Sequence, residues 1–244
     1  MELLNIYMNK RCKVFVLFSL ISCSVFGGNY KINRYAVVQR NNPHVTSVDS
    51  LSSLSVGNGG FAFTVDATGL QSFPEKYSKG IPLGTMSDWG WHSFDNPNRY
   101  KFEETLRNYD FGRGRLESYS VQIKGDARQK AACNWYRVNA HRLHLGVVGL
   151  ELGNDIHQIK SIDETLDMYR GIINSKFNYQ GKAYHVSTVC DPVSDRIASD
   201  IVSDGKIAVK FRFPYPSGGH SDDACNWTSD NLHSTVLVKS AANC

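Results

Sequence analysis

Five consecutive residues, Asp88-Trp89-Gly90-Trp91-His92, carry the most chemistry per position in this chain. Sugar rings present apolar C–H faces that stack on aromatic planes, while carboxylates and imidazoles bond the hydroxyls around them. A tryptophan pair with polar flanks, in a stretch punctuated by Gly80, Pro82, Gly84, Gly90 and Pro97, therefore suits a carbohydrate-binding loop. The competing role is structural, since the same indoles can plug a sheet edge or a domain interface. Glu103 and Glu104 are adjacent, so a helix or strand aims them apart, and they cannot act as the paired carboxylates of glycoside hydrolysis; solvated charge is expected of them. His141 and His144 lie three apart, which on a strand means opposite faces and a poor metal pair. His220, Asp222 and Asp223 offer cation ligands in a loop, where a wet turn is the commoner outcome. There is no Gly-x-Ser-x-Gly elbow, no phosphate-binding loop and no His-Glu-x-x-His. No cofactor, no metal and no catalytic residue is expected here.

The first residues read as an address. Asn9 to Lys13 is basic, and Val14 to Ile21 is apolar but too short to span a membrane, so residues 1–27 are expected to be a signal peptide, with Met8 an alternative start. Leu20-Ile-Ser-Cys23 is similar to a bacterial lipobox, in which Cys23 would be lipidated; ordinary cleavage near Phe26-Gly27-Gly28 is the alternative. Export to the periplasm or outer membrane follows, with lipid as the sole membrane anchor. Cys133, Cys190, Cys225 and Cys244 have spacings far from those of a zinc site, and mostly buried thiols with at most one disulfide are expected. Asn226-Trp-Thr228 is a glycosylation sequon, relevant only in a eukaryotic secretory path. The formal charge of +4 is partly carried by Lys10, Arg11 and Lys13, which is too weak a balance to imply nucleic acid as a partner.

The elements that must position the Trp loop read as β-structure. Phe61, Phe63 and Val65 alternate with Ala62, Thr64 and Asp66 behind a Gly57-Asn58-Gly59-Gly60 turn, which predicts a half-buried strand, with Leu70–Pro74 as its partner. Val37-Val38 predicts a short strand before a polar loop, and Pro74 to Asn98 a long irregular loop. Phe102, Leu106 and Tyr109 have helical spacing, so a short helix is expected over 98–109. Tyr119, Val121 and Ile123 alternate as a strand, and Trp135 to Leu152 shows period two, with Leu143, Leu145 and Val147 on one face. Ser161-Ile-Asp-Glu164 matches a capping box, yet Gly171-Ile-Ile173 suits a helix badly, so a strand is expected over 165–176. Gln180-Gly181 and, more strongly, Asp204-Gly205 predict hairpin turns. Ile207, Val209, Phe211 and Phe213 then predict a strand buried on that face, followed by an exposed loop over 214–223 and a last strand over 234–239.

The order of several pieces carries a family likeness. Leu51 to Phe61, Thr68 to Pro74 and Ser87 to Phe94, then Thr165 to Ile173, Phe177 to Lys182, Val186 to Thr188 and Asp191-Pro192, resemble the N-terminal β-sandwich of bacterial six-hairpin glycosidases. Maltose-type phosphorylases and some α-L-fucosidases share that architecture. From about Arg34 onward, the resemblance implies an all-β, antiparallel two-sheet super-sandwich of galactose-mutarotase-like type, expected over 28–244 with at most short helices. It also implies a non-catalytic role. In the resembled enzymes acid and base come from a downstream α/α toroid, whose helical-period runs are missing here, so the sandwich is either part of a longer protein or stands alone. The implied partners are that toroid and a glycan or oligosaccharide, whose site the sandwich would support and partly wall. A self-standing carbohydrate-binding module is the main alternative. A mutarotase-like sugar epimerase is a third, and it needs a His with a carboxylate in one cleft.

Overall fold

A computed structural model describes residues 31–120, 125–217, 225–236 and 238. The expected signal peptide and Cys23 lie outside them, as do Val121, Ile123, His220, Asp222, Asp223, Lys239 and Cys244. The chain divides into two units, Met1–Arg40 and Asn41–Cys244. In the first, Val37-Val38 is not a strand but part of α1 (Arg34–Gln39), because the Asn33 side chain caps it by accepting from the Ala36 amide at 3.1 Å.

In the second unit, β1 (His44–Val45) precedes a hairpin of β2 (Leu54–Gly57) and β3 (Phe61–Val65). Asn58 Oδ1 accepts from the amides of Gly60 and Phe61 at 3.0 and 2.8 Å, and Gly59 sits at φ +98°, so Gly57–Gly60 is the tight turn its residues predict. Phe61, Phe63 and Val65 are buried as their alternation predicts. Their second partner is not Leu70–Pro74, however. It is β4 (Thr85–Ser87), so the stretch from Pro74 is less irregular than expected: it holds α2 (Pro74–Tyr77), β4 and β5 (Trp91–His92).

Helical spacing over 98–109 yields only a 3₁₀ turn at Phe102–Thr105, and the chain then enters β6 (Leu106–Asp110) paired with β7 (Leu116–Ser120). A 12-residue helix that periodicity did not reveal, α3 (Ala127–Val138), starts where Asp126 accepts from the Gln129 amide at 2.7 Å. Trp135 to Val138 therefore belong to a helix, and period two resumes only in β8 (His141–Arg142) and β9 (Val147–Leu150).

Then come β10 (Ile159–Asp167), β11 (Ile172–Tyr179), β12 (Lys182–Cys190) and β13 (Ile197–Ser203), followed by β14 (Val209–Arg212), β15 (Tyr215–Pro216) and β16 (Cys225–Asn226). The apparent capping box is a β-bulge: Ser161 has φ 52° and the β10–β11 register shifts between Lys160 and Asp163. The strand expected over 165–176 is broken by a turn in which Gly171, at φ +69°, donates to Asp167 O at 2.7 Å. Gln180 and Gly181, at φ 50° and 75°, join Tyr179 to Lys182 as a two-residue turn of the primed type.

Asp204-Gly205 is not such a turn. β14 pairs with β9 rather than β13, and Gly205 lies outside the positive-φ region. Its glycine is needed for space, since a Cβ there would sit 2.6 Å from the Tyr184 hydroxyl and 3.2 Å from Lys182 Cβ. Gly205→Val is expected to destabilise the domain by ~1 kcal/mol or more, through displacement of Tyr184 from its bond to Lys206 O. A thermal midpoint equal to that of the parent would contradict this.

The fold is all-β, with every sheet antiparallel. A five-stranded sheet, β1-β10-β11-β12-β13, packs through β11 and β12 on the β2-β3-β4 sheet. Ile162, Ile173, Phe177, Tyr184 and Val186 meet Leu54, Val56, Phe63 and Val65, and the Phe177 and Tyr184 rings stack at 5.1 Å. The other described strands form two-stranded pairs, β5–β8, β6–β7, β9–β14 and β15–β16. The face expected to be buried on β14 is its wet one. Ile207, Val209, Phe211 and Phe213 are exposed, whereas Lys210 reaches Glu151 at 3.2 Å and Arg212 pairs with Glu75 and lies 4.2 Å from the Trp227 ring centre. No strand forms over 234–236, which is exposed. Among the described residues Cys133, Cys190 and Cys225 are thiols, as expected, but only Cys133 is buried, the other two being half-buried.

Candidate functional site

What holds the Trp loop begins in the buried segment 66–73. Gln71, 2% exposed, donates from its amide group to Thr64 O at 2.9 Å and accepts from the Val148 amide at 3.0 Å and the Thr85 hydroxyl at 3.2 Å. Ser72 Oγ accepts from the Leu150 amide at 3.0 Å. These bonds fix β9 against β3 and β4, and so fix the chain just before it. There β8 pairs with β5 in the register Trp91↔Arg142 and His92↔His141, and the amides of Leu143 and Leu145 donate to Gly90 O and Thr85 O at 2.7 and 2.8 Å. Gly90 leaves room for this approach, since a Cβ on it would lie 2.9 Å from Leu145 Cδ2.

All four residues singled out in the sequence, Asp88, Trp89, Trp91 and His92, sit together on this clamped edge. Arg142 pairs with the Asp88 carboxylate and donates to Asp88 O at 2.7 Å. Trp91 is 58% exposed and Trp89 68%. Asp88, Trp91, Ala140, His141 and Arg142 line a depression of about 560 Å³. A second one, of about 550 Å³, shares His141 and is lined by His92, Phe94, Leu143, Tyr215 and Asn226 among others. His92 Nδ1 lies 3.2 Å from His141 Nε2, and the Phe94 ring stands 5.0 and 5.1 Å from the two imidazoles. The Phe94 amide is held by Asn139 Oδ1, just past the end of α3. An aromatic floor with a carboxylate, a guanidinium and two imidazoles at its edge can stack a planar apolar face and bond the polar groups around it.

Sequence reasoning missed Arg142, Phe94 and Asp195 as site residues; it weighed His141 only against His144, rightly rejecting that pair, and did not see that His92 stands beside His141. His144 is a core residue at 3% exposure: its Nε2–H donates to Leu83 O at 3.0 Å while Nδ1 accepts from the Gly146 amide at 3.0 Å. Asp195, from the β12–β13 loop, had no local signal. Its carboxylate accepts from Asn58 Nδ2 at 3.2 Å, Trp89 Nε1 at 3.1 Å and the Ser87 hydroxyl, and the bonds from Ser87 and Asn58 hold it below the usual carboxylate range. Asp195→Ala should therefore release the Trp89 indole. Faster hydrogen exchange of that N–H, with the melting midpoint little changed, is the expected result; unaltered exchange would show that Asp195 does not hold the loop.

Glu103 is exposed, as expected of solvated charge, but Glu104 is half-buried and binds Arg128 at 2.6 and 3.0 Å, which holds its carboxyl below the usual range. Asn226 Oδ1 turns back to the Thr228 amide and hydroxyl at 3.0 Å each. Among the described residues, no three or more His, Cys, Asp or Glu side chains gather as a metal site.

A second polar cluster is sealed in the core. Asp66 and Glu164 are each 1% exposed, and Tyr77 is 2% exposed. The Asp66 carboxylate accepts from the Thr68 amide and hydroxyl at 2.9 and 2.6 Å and from the Phe73 amide at 2.7 Å, yet burial outweighs these bonds and pushes it up to about 6. Burial, with the Asp66 charge added, pushes Glu164 up to about 9, and Glu164 Oε1 meets no hydrogen-bond partner. Burial also raises the Tyr77 phenol. These acids face the packed interior rather than a cleft.

No family model and no curated protein matches the chain.

Proposed function

We propose that the Asn41–Cys244 unit binds a glycan or oligosaccharide on the surface formed by Trp91, Arg142, Asp88 and His141. The observation that carries this reading is the Trp91 ring, 58% exposed on a strand pinned by its pairing with Arg142, with polar side chains on its rim. An indole left so bare on a rigid element, beside groups that bond hydroxyls, suits sugar stacking better than core packing. Its role is binding and positioning rather than bond cleavage: the Asp88 carboxylate is committed to Arg142, and the nearby Asp195 is committed to Asn58, Ser87 and Trp89. The domain is the non-catalytic sandwich of a glycosidase-like protein, supporting the glycan site of a helical toroid. The exposed apolar row of Val209, Phe211 and Phe213 supports that partner, because such a face calls for a cover. Titration of the full chain with a saccharide panel, read by tryptophan fluorescence, should give saturable binding to at least one sugar and no turnover of glycosides. Turnover would contradict the non-catalytic role, and silence across the panel would contradict binding.

The basic-then-apolar start supports export, to the periplasm or as a lipoprotein. Mass spectrometry of the mature protein should show loss of about the first 22–27 residues, with an acyl mass on Cys23 in the lipoprotein case. An intact Met1 or Met8 in the processed protein would contradict export.

A further inference from the structure

The geometry points to a binding site for a divalent transition-metal ion, clamped between His92 and His141. These two residues are direct cross-strand partners in β5–β8, so a rigid backbone presents both imidazoles to one point. His141 Nδ1 lies 2.7 Å from Val138 O. A carbonyl can only accept, so Nδ1 carries the proton and Nε2 keeps its lone pair. That is the arrangement by which proteins orient a metal-binding histidine: the far nitrogen donates to a carbonyl and the near one faces the ion. His141 Nε2 faces His92 Nδ1 at 3.2 Å. Two Zn–N bonds of ~2.0–2.1 Å at a tetrahedral angle place their nitrogens about 3.3 Å apart, so the pair already stands at chelating distance.

Without the ion, His92 Nδ1–H donates to His141 Nε2. With it, His92 moves its proton to Nε2, on the other side of the ring, and turns its Nδ1 lone pair to the ion; no proton is gained or lost by the protein. His92 is exposed, so this movement is open to it, while Phe94 backs both rings. Two neutral imidazoles select Zn²⁺, Cu²⁺ or Ni²⁺ over Mg²⁺ or Ca²⁺, which prefer oxygen. The remaining positions of the ion face the depression of about 550 Å³ and are open to water or to hydroxyl oxygens of a ligand. The site shares His141 with the proposed glycan surface, but neither histidine needs a bound sugar to hold the ion, so Zn²⁺ binding is tested independently of the glycan reading.

The test titrates Zn²⁺ alone into the full-length chain and follows the imidazole nitrogens by ¹⁵N NMR. His92 Nδ1 and His141 Nε2 should shift together and saturate at one ion per chain, with His144 and His185 unmoved and Mg²⁺ without effect. His92→Gln and His141→Gln should each weaken Zn²⁺ binding about tenfold or more. Absence of a shift, a shift spread over unrelated histidines, or parental affinity in either variant would overturn the site. The parent spectrum decides the matter by itself should a variant fold poorly.

Discussion

Glu164→Gln is expected to make the domain more stable at pH 8 and to flatten the fall of its stability with rising pH. Glu164 is 1% exposed, its carboxyl is pushed from 4.5 up to about 9 by burial and by the Asp66 charge, and its Oε1 meets no partner. Between those two values the unfolded chain releases this proton while the folded chain keeps it. The unfolded state therefore gains on the folded one, and stability declines by about 1.4 kcal/mol per pH unit per proton. Asp66, raised from 3.8 to about 6, adds the same sign over its own narrower window. Carboxylates held low by their bonds, such as Asp195 and Glu104, act in the opposite direction but are common to both chains and cancel in the difference. Replacing Glu164 by the neutral amide should leave stability near pH 4 little changed and raise it at pH 8 by about 2–4 kcal/mol, read from urea midpoints across the pH range. Parallel curves for the two chains would mean that Glu164 ionises normally in the folded protein.

Gln71→Leu is expected to have the largest destabilising effect, about 3 kcal/mol or more. The side chains are similar in size, so little is lost in packing, but Thr64 O, the Val148 amide and the Thr85 hydroxyl all lose a buried partner. Each such orphan costs about 1–3 kcal/mol where no water replaces the lost amide, and the leucine fills that volume at a position only 2% exposed. Because Gln71 also ties β9 to β3 and β4, the variant should loosen the β5–β8 pair, and the amides of Leu143 and Leu145 should exchange faster. A midpoint within ~0.5 kcal/mol of the parent would show that β9 is held by other bonds.

Alternation of residue types revealed what one strand needs for itself. Phe61, Phe63 and Val65 are buried because strand side chains alternate, and Asn58 with Gly59 makes the turn before them, so both were legible. The Trp loop was legible for a similar reason: its chemistry lies in consecutive residues. Partnership across distance was not. β14 has the alternation of a half-buried strand, yet pairing with β9 directs Lys210 and Arg212 toward Glu151 and Glu75 and leaves Phe211 in water. Asp204-Gly205 and Gln180-Gly181 look alike locally, but only the second joins strands that pair, and that pairing requires positive φ. α3 escaped notice because its exposed positions are polar and its buried ones, Ala132 and Cys133, make no stripe. Asp195 reaches the site from more than a hundred residues away, and only the packing of the β12–β13 loop brings it to Trp89. His141 was visible as a residue, but its partner is set by the β5–β8 register rather than by sequence spacing.

The most direct test of sugar binding at Trp91 is calorimetric titration of one binding saccharide into the parent chain, Trp91→Ala and Arg142→Ala, with melting midpoints as a control for folding. Loss of one stacking plane is worth on the order of 1 kcal/mol, so Trp91→Ala should weaken binding about fivefold or more at an unchanged midpoint. Arg142→Ala should weaken it as well, because both the rim of the depression and the pairing that holds Asp88 are lost. Parental affinity in both variants would place any sugar site elsewhere on the domain and contradict the proposed role of this surface.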